Sequence, residues 1–121
     1  MSDRKSRDTR FAVVYRNLDE AGLSAFSEVR EGDALQTLRD LAAPVDLLLI
    51  DGSKDFYLPV LEILRPKLRK GSIVIADNIL HPCFVRNTMA HYVAYMHDAR
   101  NGFRSTTLPI GAGIEYSVFE G

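Results

Sequence analysis

The chain has 121 residues, 46% of them hydrophobic and 26% charged, which suits one small globular domain with its own core. A formal net charge of −1 gives no electrostatic reason to expect nucleic acid or an acidic membrane surface as a partner. The lone Cys83 excludes an internal disulfide and fits a reducing, cytoplasmic compartment, no apolar stretch is long enough to span a bilayer, and the polar N-terminus does not read as a signal peptide.

Residues 1–8 are polar and are expected to be disordered, the start of a single domain over 1–121. Phe11, Val14, Tyr15 and Leu18 recur at helical spacing, and Gly22 closes that helix. Residues 26–30 read as a short strand. Gly32-Asp33 is a turn whose aspartate can cap a helix with Leu35, Leu38 and Leu41 as its buried stripe, and Pro44 ends that element. Residues 45–50 form an apolar run that ends on Asp51. A helix over 54–64 follows, with Pro59 in its early part, where a missing N–H is tolerated, and Pro66 breaking it. Arg65, Lys67, Arg69 and Lys70 cluster at its end, where cations suit the helix dipole.

A second apolar run, 72–76, ends on Asp77 and Asn78. After His81-Pro82, the residues Val85, Met89, Tyr92, Val93 and Met96 make a helical stripe that stops at Gly102. Phe103–Leu108 and Ile114–Phe119 read as a hairpin joined by the loop 109–113. The two apolar runs, rich in branched residues and followed by helical patterns, read as strands of a largely parallel sheet, buried on both faces. The expected class is therefore α/β, with helices against that sheet.

Open sheets of this kind bind ligands at the carboxyl ends of their strands. Asp51, Asp77 and Asn78 stand there. Two carboxylates and one amide oxygen suit magnesium, a hard cation that takes oxygen ligands and keeps several waters. Each aspartate alone also suits a helix or turn cap. Lys54, three residues beyond Asp51, sits where the helix dipole disfavours a cation, and near a divalent ion its ammonium would be destabilised toward the neutral base. On position alone the favoured reading is a solvated surface lysine. His81, His91 and His97 have no zinc-ligand spacing with Cys83, and His91 and His97 read as ordinary positions on an amphipathic helix. Phe56 and Tyr57 read as packing residues.

Three blocks taken together, Gly32-Asp33-Ala34, Leu49-Ile50-Asp51-Gly52-Ser53-Lys54-Asp55 and Ile75-Ala76-Asp77-Asn78, resemble the class I S-adenosylmethionine-dependent O-methyltransferases. The likeness is to the metal-dependent branch that includes catechol O-methyltransferase, and it runs over 11–119. It implies a Rossmann-like, mostly parallel sheet sandwiched by helices, with a C-terminal antiparallel hairpin. It also implies S-adenosylmethionine and magnesium or manganese as cofactors, and a small hydroxylated acceptor. By the same resemblance Asp51, Asp77 and Asn78 hold the metal and Lys54 deprotonates the acceptor. Asp33, Ala34 and Asp51 border the cofactor, and Glu115, in Gly113-Ile114-Glu115, contacts a substrate hydroxyl.

Two departures stand out. Ser53 replaces a usual tryptophan, and Gly52 an often larger residue. The family also opens with a strand, a glycine-rich loop and a second strand that grip most of the cofactor, whereas no glycine precedes Gly22 here. The N-terminal strands of the family fold are thus expected to be missing, which leaves a non-catalytic remnant or binding module as the alternative reading. It also leaves strand 45–50 with an unprotected edge, so a homodimer or higher homo-oligomer is expected.

Overall fold

The computed structural model describes residues 2–80 and 86–121, and the side chains of 11–80 and 89–121. His81, Pro82, Cys83 and Val85 lie outside the described residues. The single domain expected from composition divides by its contacts into two compact units, Met1–Thr37 and Leu38–Gly121. Among the described residues no helix is long and apolar enough to cross a membrane.

In the first unit, helix α1 (Ser2–Glu20) begins inside the polar stretch expected to be disordered. No glycine or proline interrupts those residues, and helix propensity carries the element back to Ser2. Its C-terminal end is a Schellman motif. Leu23 N–H donates to Leu18 O at 2.9 Å, Gly22 N–H donates to Asp19 O at 3.1 Å, and Gly22 takes φ +72°. The expected strand over 26–30 is not formed. Ser24–Phe26 is a 3₁₀ turn followed by irregular chain, and Phe26 is 85% exposed. A strand is held by a ladder, and this stretch has no partner strand within its unit. Asp33 caps as expected, its Oδ1 accepting from Leu35 N–H at 2.9 Å, but α2 is a single turn, Ala34–Thr37.

The second unit explains why the helical stripe of Leu35, Leu38 and Leu41 does not continue as helix. Lys67 Nζ donates to the carbonyls of Arg39 and Leu41, each at 2.6 Å, and to Leu38 O at 3.4 Å. Arg65 donates to Asn101 O at 2.6 Å and Arg69 pairs with Asp46. The basic cluster therefore ties chain segments together.

Strands β1 (Val45–Ile50), β2 (Leu68–Asp77), β3 (Phe103–Leu108) and β4 (Ile114–Phe119) form one sheet in the order β1-β2-β4-β3. The α/β organisation is as expected. The sheet is mixed, however. β1 and β2 run parallel, while β4 pairs antiparallel with both β2 and β3. The early strand that would have extended the parallel part does not exist. Helix α3 (Tyr57–Leu64) and helix α4 (Arg86–His97) follow the two parallel strands. A 3₁₀ turn, Lys54–Phe56, leads into α3, and Pro59 falls in the first turn of α3.

β2 starts earlier than its apolar run. Val45 pairs with Leu68 and Leu47 with Ile73, so extra residues on β2 bulge out around Gly71, at φ +94°. Ser72, buried at this bulge, donates from Oγ to Val45 O at 2.6 Å and accepts from Arg69 N–H at 2.9 Å.

The core lies on one face of the sheet. Leu61 from α3, Met89, Tyr92 and Met96 from α4, Ile50 from β1, and Val74 and Ala76 from β2 form one buried cluster. The alternate residues Ile73 and Ile75 are half-buried. Burial of β1 on both faces, expected from its sequence, is not seen, for Leu47 and Leu49 are 61% and 63% exposed. Helices α3 and α4 pack on the face that carries Ile50, Val74 and Ala76, and among the described residues of this unit no helix covers the other face.

Leu61→Ala is expected to lower unfolding free energy by about 2–5 kcal/mol in urea titrations, because Leu61 has no exposed surface. Leu47→Ala should change it by less than about 1 kcal/mol. Comparable losses from both substitutions would contradict the one-sided core.

Candidate active site

The carboxyl ends of β1 and β2 carry the polar residues picked out from the sequence. Ile50 lies opposite Ala76 in the parallel ladder, so the next residue of each strand, Asp51 and Asp77, leaves the sheet at the same end. Asn78 follows in the left-handed region at φ +58°, among the described residues the one non-glycine at positive φ. Asparagine tolerates that region better than most residues, and such backbone is commonest at functional sites. This turn lets Asn78 N–H donate to Asp77 Oδ1 at 2.8 Å, while its side-chain amide donates to Asp51 Oδ1 at 3.2 Å. The three residues form a bonded cluster, with Asp51 exposed and Asp77 and Asn78 half-buried.

The β3–β4 connection holds this turn in place. Ile79 N–H donates to Gly113 O at 3.3 Å and Leu80 N–H to Ala112 O at 2.9 Å. Gly113 has φ +91°, and a Cβ there would stand 2.5 Å from Leu80 Cγ, so both the backbone conformation and the Leu80 side chain packed against it favour glycine.

Lys54 reaches the same strand end. Its Nζ donates to Tyr57 Oη at 3.0 Å and to Asp77 O at 3.3 Å. Tyr57 Oη in turn donates to Asp77 O at 2.6 Å. The lysine expected at the head of the helix is therefore directed over the end of β2. In the sequence Tyr57 reads as a packing residue. Its ring is indeed buried, edge-on to Tyr92 at 5.9 Å, but its hydroxyl belongs to the site. The spacing Lys54–Tyr57, one helical turn, was the available signal.

Asp33 and Ala34 lie in the first unit, where Asp33 caps α2. Glu115, expected to contact an acceptor, has no exposed surface. Its carboxylate accepts from Thr107 Oγ1 at 2.5 Å, from Ser105 Oγ, and pairs with His97 Nε2 at 2.7 Å. Both oxygens of this buried carboxylate are bonded within the fold, beneath α4. Ser117, also buried, bonds Ser105 Oγ at 2.6 Å. The period-two hydroxyls at Ser105, Thr107 and Ser117 could have revealed this cluster, since β3 and β4 are hairpin partners. Tyr92, buried beside it, has its hydroxyl pKa pushed up, first by burial and then by the negative charge of Glu115. His91 is exposed, as expected for an ordinary helix position.

Comparison with known proteins places this arrangement in context. A family model described as a methyltransferase domain matches residues 3–79. The chain is 33% identical over 73 residues to a catechol O-methyltransferase of Niastella koreensis, across 57% of this chain and 33% of that protein. It is 35% identical over 69 residues to a catechol O-methyltransferase of Mycobacterium tuberculosis, across 56% of this chain and 31% of that one. Among solved structures, the O-methyltransferase from Bacillus cereus in complex with SAH superposes with a TM-score of 0.77 at 22% identity, over 90% of this chain and 57% of that one. The matches thus span about a third of the length of these curated relatives.

Glu115→Ala is expected to reduce stability by about 3 kcal/mol, since it leaves a cavity and strips the buried hydroxyls of their acceptor. Glu115→Gln, which keeps one acceptor oxygen, should cost less. Urea unfolding that finds Glu115→Ala within about 0.5 kcal/mol of the parent would contradict the structural role.

Proposed function

The chain belongs to the methyltransferase domain family, and from that premise we propose that it carries the metal and catalytic-base side of an S-adenosylmethionine-dependent O-methyltransferase. The acceptor in this reading is a small hydroxylated molecule of catechol type. The observation that carries it is the convergence of Asp51, Asp77, Asn78 and Lys54 at the carboxyl ends of the two parallel strands. The family match at 3–79 runs across both compact units, which supports treating 1–121 as one methyltransferase-like domain.

The donor set fits a divalent cation. Two carboxylates and an amide, bonded to one another and partly open to solvent, provide hard oxygens with room for water. Asp51, Asp77 and Asn78 would hold magnesium or manganese, which when bound would make an acceptor hydroxyl more acidic. The chain's own part is to orient and to move a proton. Lys54 Nζ takes the proton of the acceptor hydroxyl. S-adenosylmethionine, when bound, would supply the methyl group to that oxygen, the electron pair of the broken carbon–sulfur bond staying on sulfur. Asp33 and Ala34 are assigned to the cofactor's adenine, and Asp51 to its border. A non-catalytic binding module of the same fold is the second reading.

A homo-oligomer is also proposed. Its support is the outer edge of β1, which no strand pairs among the described residues, together with the exposed Leu47 and Leu49. Light scattering that finds only monomer at micromolar concentrations removes that part of the reading.

Titration calorimetry should detect magnesium or manganese binding in the millimolar range or tighter, and Asp77→Ala should abolish it. With S-adenosylmethionine and a catechol, Lys54→Ala should lower kcat by roughly 10²-fold with little change in metal affinity. No metal binding by the parent chain would remove the cation site. S-adenosylmethionine binding without turnover would favour the binding module, and kcat indifferent to Lys54→Ala would exclude Lys54 as the base.

A further inference from the structure

Tyr57 sits at the head of α3 with its side chain almost wholly enclosed. Its ring stands edge-on to Tyr92, with centroids 5.9 Å apart and planes at 84°, so the hydroxyl has little freedom to move. The single proton of that hydroxyl is committed to Asp77 O, at 2.6 Å. Toward Lys54 the phenolic oxygen can therefore offer only lone pairs, and Lys54 Nζ donates to it at 3.0 Å. The second acceptor of the amine, Asp77 O, is a carbonyl and also cannot donate.

These two acceptors sort the positions around nitrogen. An ammonium has three N–H groups, and two of them are taken here. A neutral amine has two N–H groups and one lone pair. The Tyr57 proton is engaged by Asp77 O and that carbonyl carries none, so both groups keep accepting N–H from the amine. The lone pair is left in the third direction, away from both. From this hydrogen-bond polarity we infer that Tyr57 is a positioning residue, which fixes the Lys54 amine over the end of β2 and aims its lone pair away from the protein's own acceptors, toward a substrate hydroxyl. The inference rests on the reading of Lys54 as the base. The proton of the acceptor hydroxyl passes to Nζ along the free direction while the two existing bonds stay as they are. The ring contributes a second restraint, because Nζ lies 4.8 Å from its centroid.

Tyr57→Phe separates the hydroxyl from the ring. It keeps the edge-on packing and removes one of the two acceptors that hold the amine. The direct readout is the Lys54 ammonium resonance in ¹⁵N-detected spectra at one fixed, mildly acidic pH, assigned by its loss in Lys54→Arg. In the parent chain this group is expected to show restricted rotation and slow hydrogen exchange, unlike the exposed lysines. In Tyr57→Phe its order should fall and its exchange quicken toward those of the exposed lysines, while the unfolding temperature stays close to that of the parent. A Lys54 ammonium that is equally ordered in both proteins would overturn the inference, whatever the activity. Kinetics supply the second arm, with catechol as acceptor. Tyr57→Phe should lower kcat by roughly 10-fold with KM nearly unchanged, on the scale expected for a misplaced catalytic group. A raised KM with unchanged kcat would also overturn it. If Lys54→Ala leaves kcat intact, the assignment of the base fails, and the resonance measurement still reports on what Tyr57 does to the amine.

Discussion

Because Ile50 lies opposite Ala76 in a parallel ladder, Asp51 and Asp77 leave the sheet side by side, and everything at the candidate site follows from that register. A slip of one residue would carry Leu48 and Ile50 off the helix-covered face and separate the two carboxylates from Asn78. The register is secured at the opposite end of the strands. There Ser72 bonds Val45 O, Arg69 pairs with Asp46, and the bulge around Gly71 absorbs the extra residues of β2. A polar anchor at the start of the ladder thus determines the geometry at its end.

The second support is lateral. The Gly113 and Ala112 carbonyls receive the amides of Ile79 and Leu80, which fixes the left-handed turn at Asn78. The same hairpin carries Glu115 on β4, across from Ala76, with His97 of α4 over it. A buried carboxylate is unfavourable unless its oxygens are satisfied, and here hydroxyls from β3 and an imidazole satisfy them. Strand, hairpin and helix are therefore cross-linked by polar bonds directly behind the strand ends, whereas the apolar core lies along α3 and α4.

The features legible in the sequence are those set by local pattern. The stripe of Met89, Tyr92 and Met96, the bounds of the hairpin, the cap at Asp33 and the two strand-end aspartates all depend on spacing or on a neighbouring residue. What was not legible depends on distant partners. Residues 26–30 read as a strand but have no partner strand within their own unit. The run 45–50 looks buried on both faces, yet which of its faces is covered is decided by where α3 and α4 pack. Glu115 reads as a substrate contact by resemblance alone, and Tyr57 as a packing residue by its type. Their partners, His97 and Asp77 O, lie 18 and 20 residues away, and only the fold brings them together.

Paramagnetic broadening by manganese tests the central claim most directly, because it reports where a cation resides whether or not any reaction follows. Substoichiometric manganese should broaden the amide resonances of Asp51, Lys54, Asp77 and Asn78 first, and Asp77→Ala should abolish that selectivity. Broadening spread instead over exposed carboxylates such as Asp46 and Glu120, with the strand ends unaffected, would contradict the account.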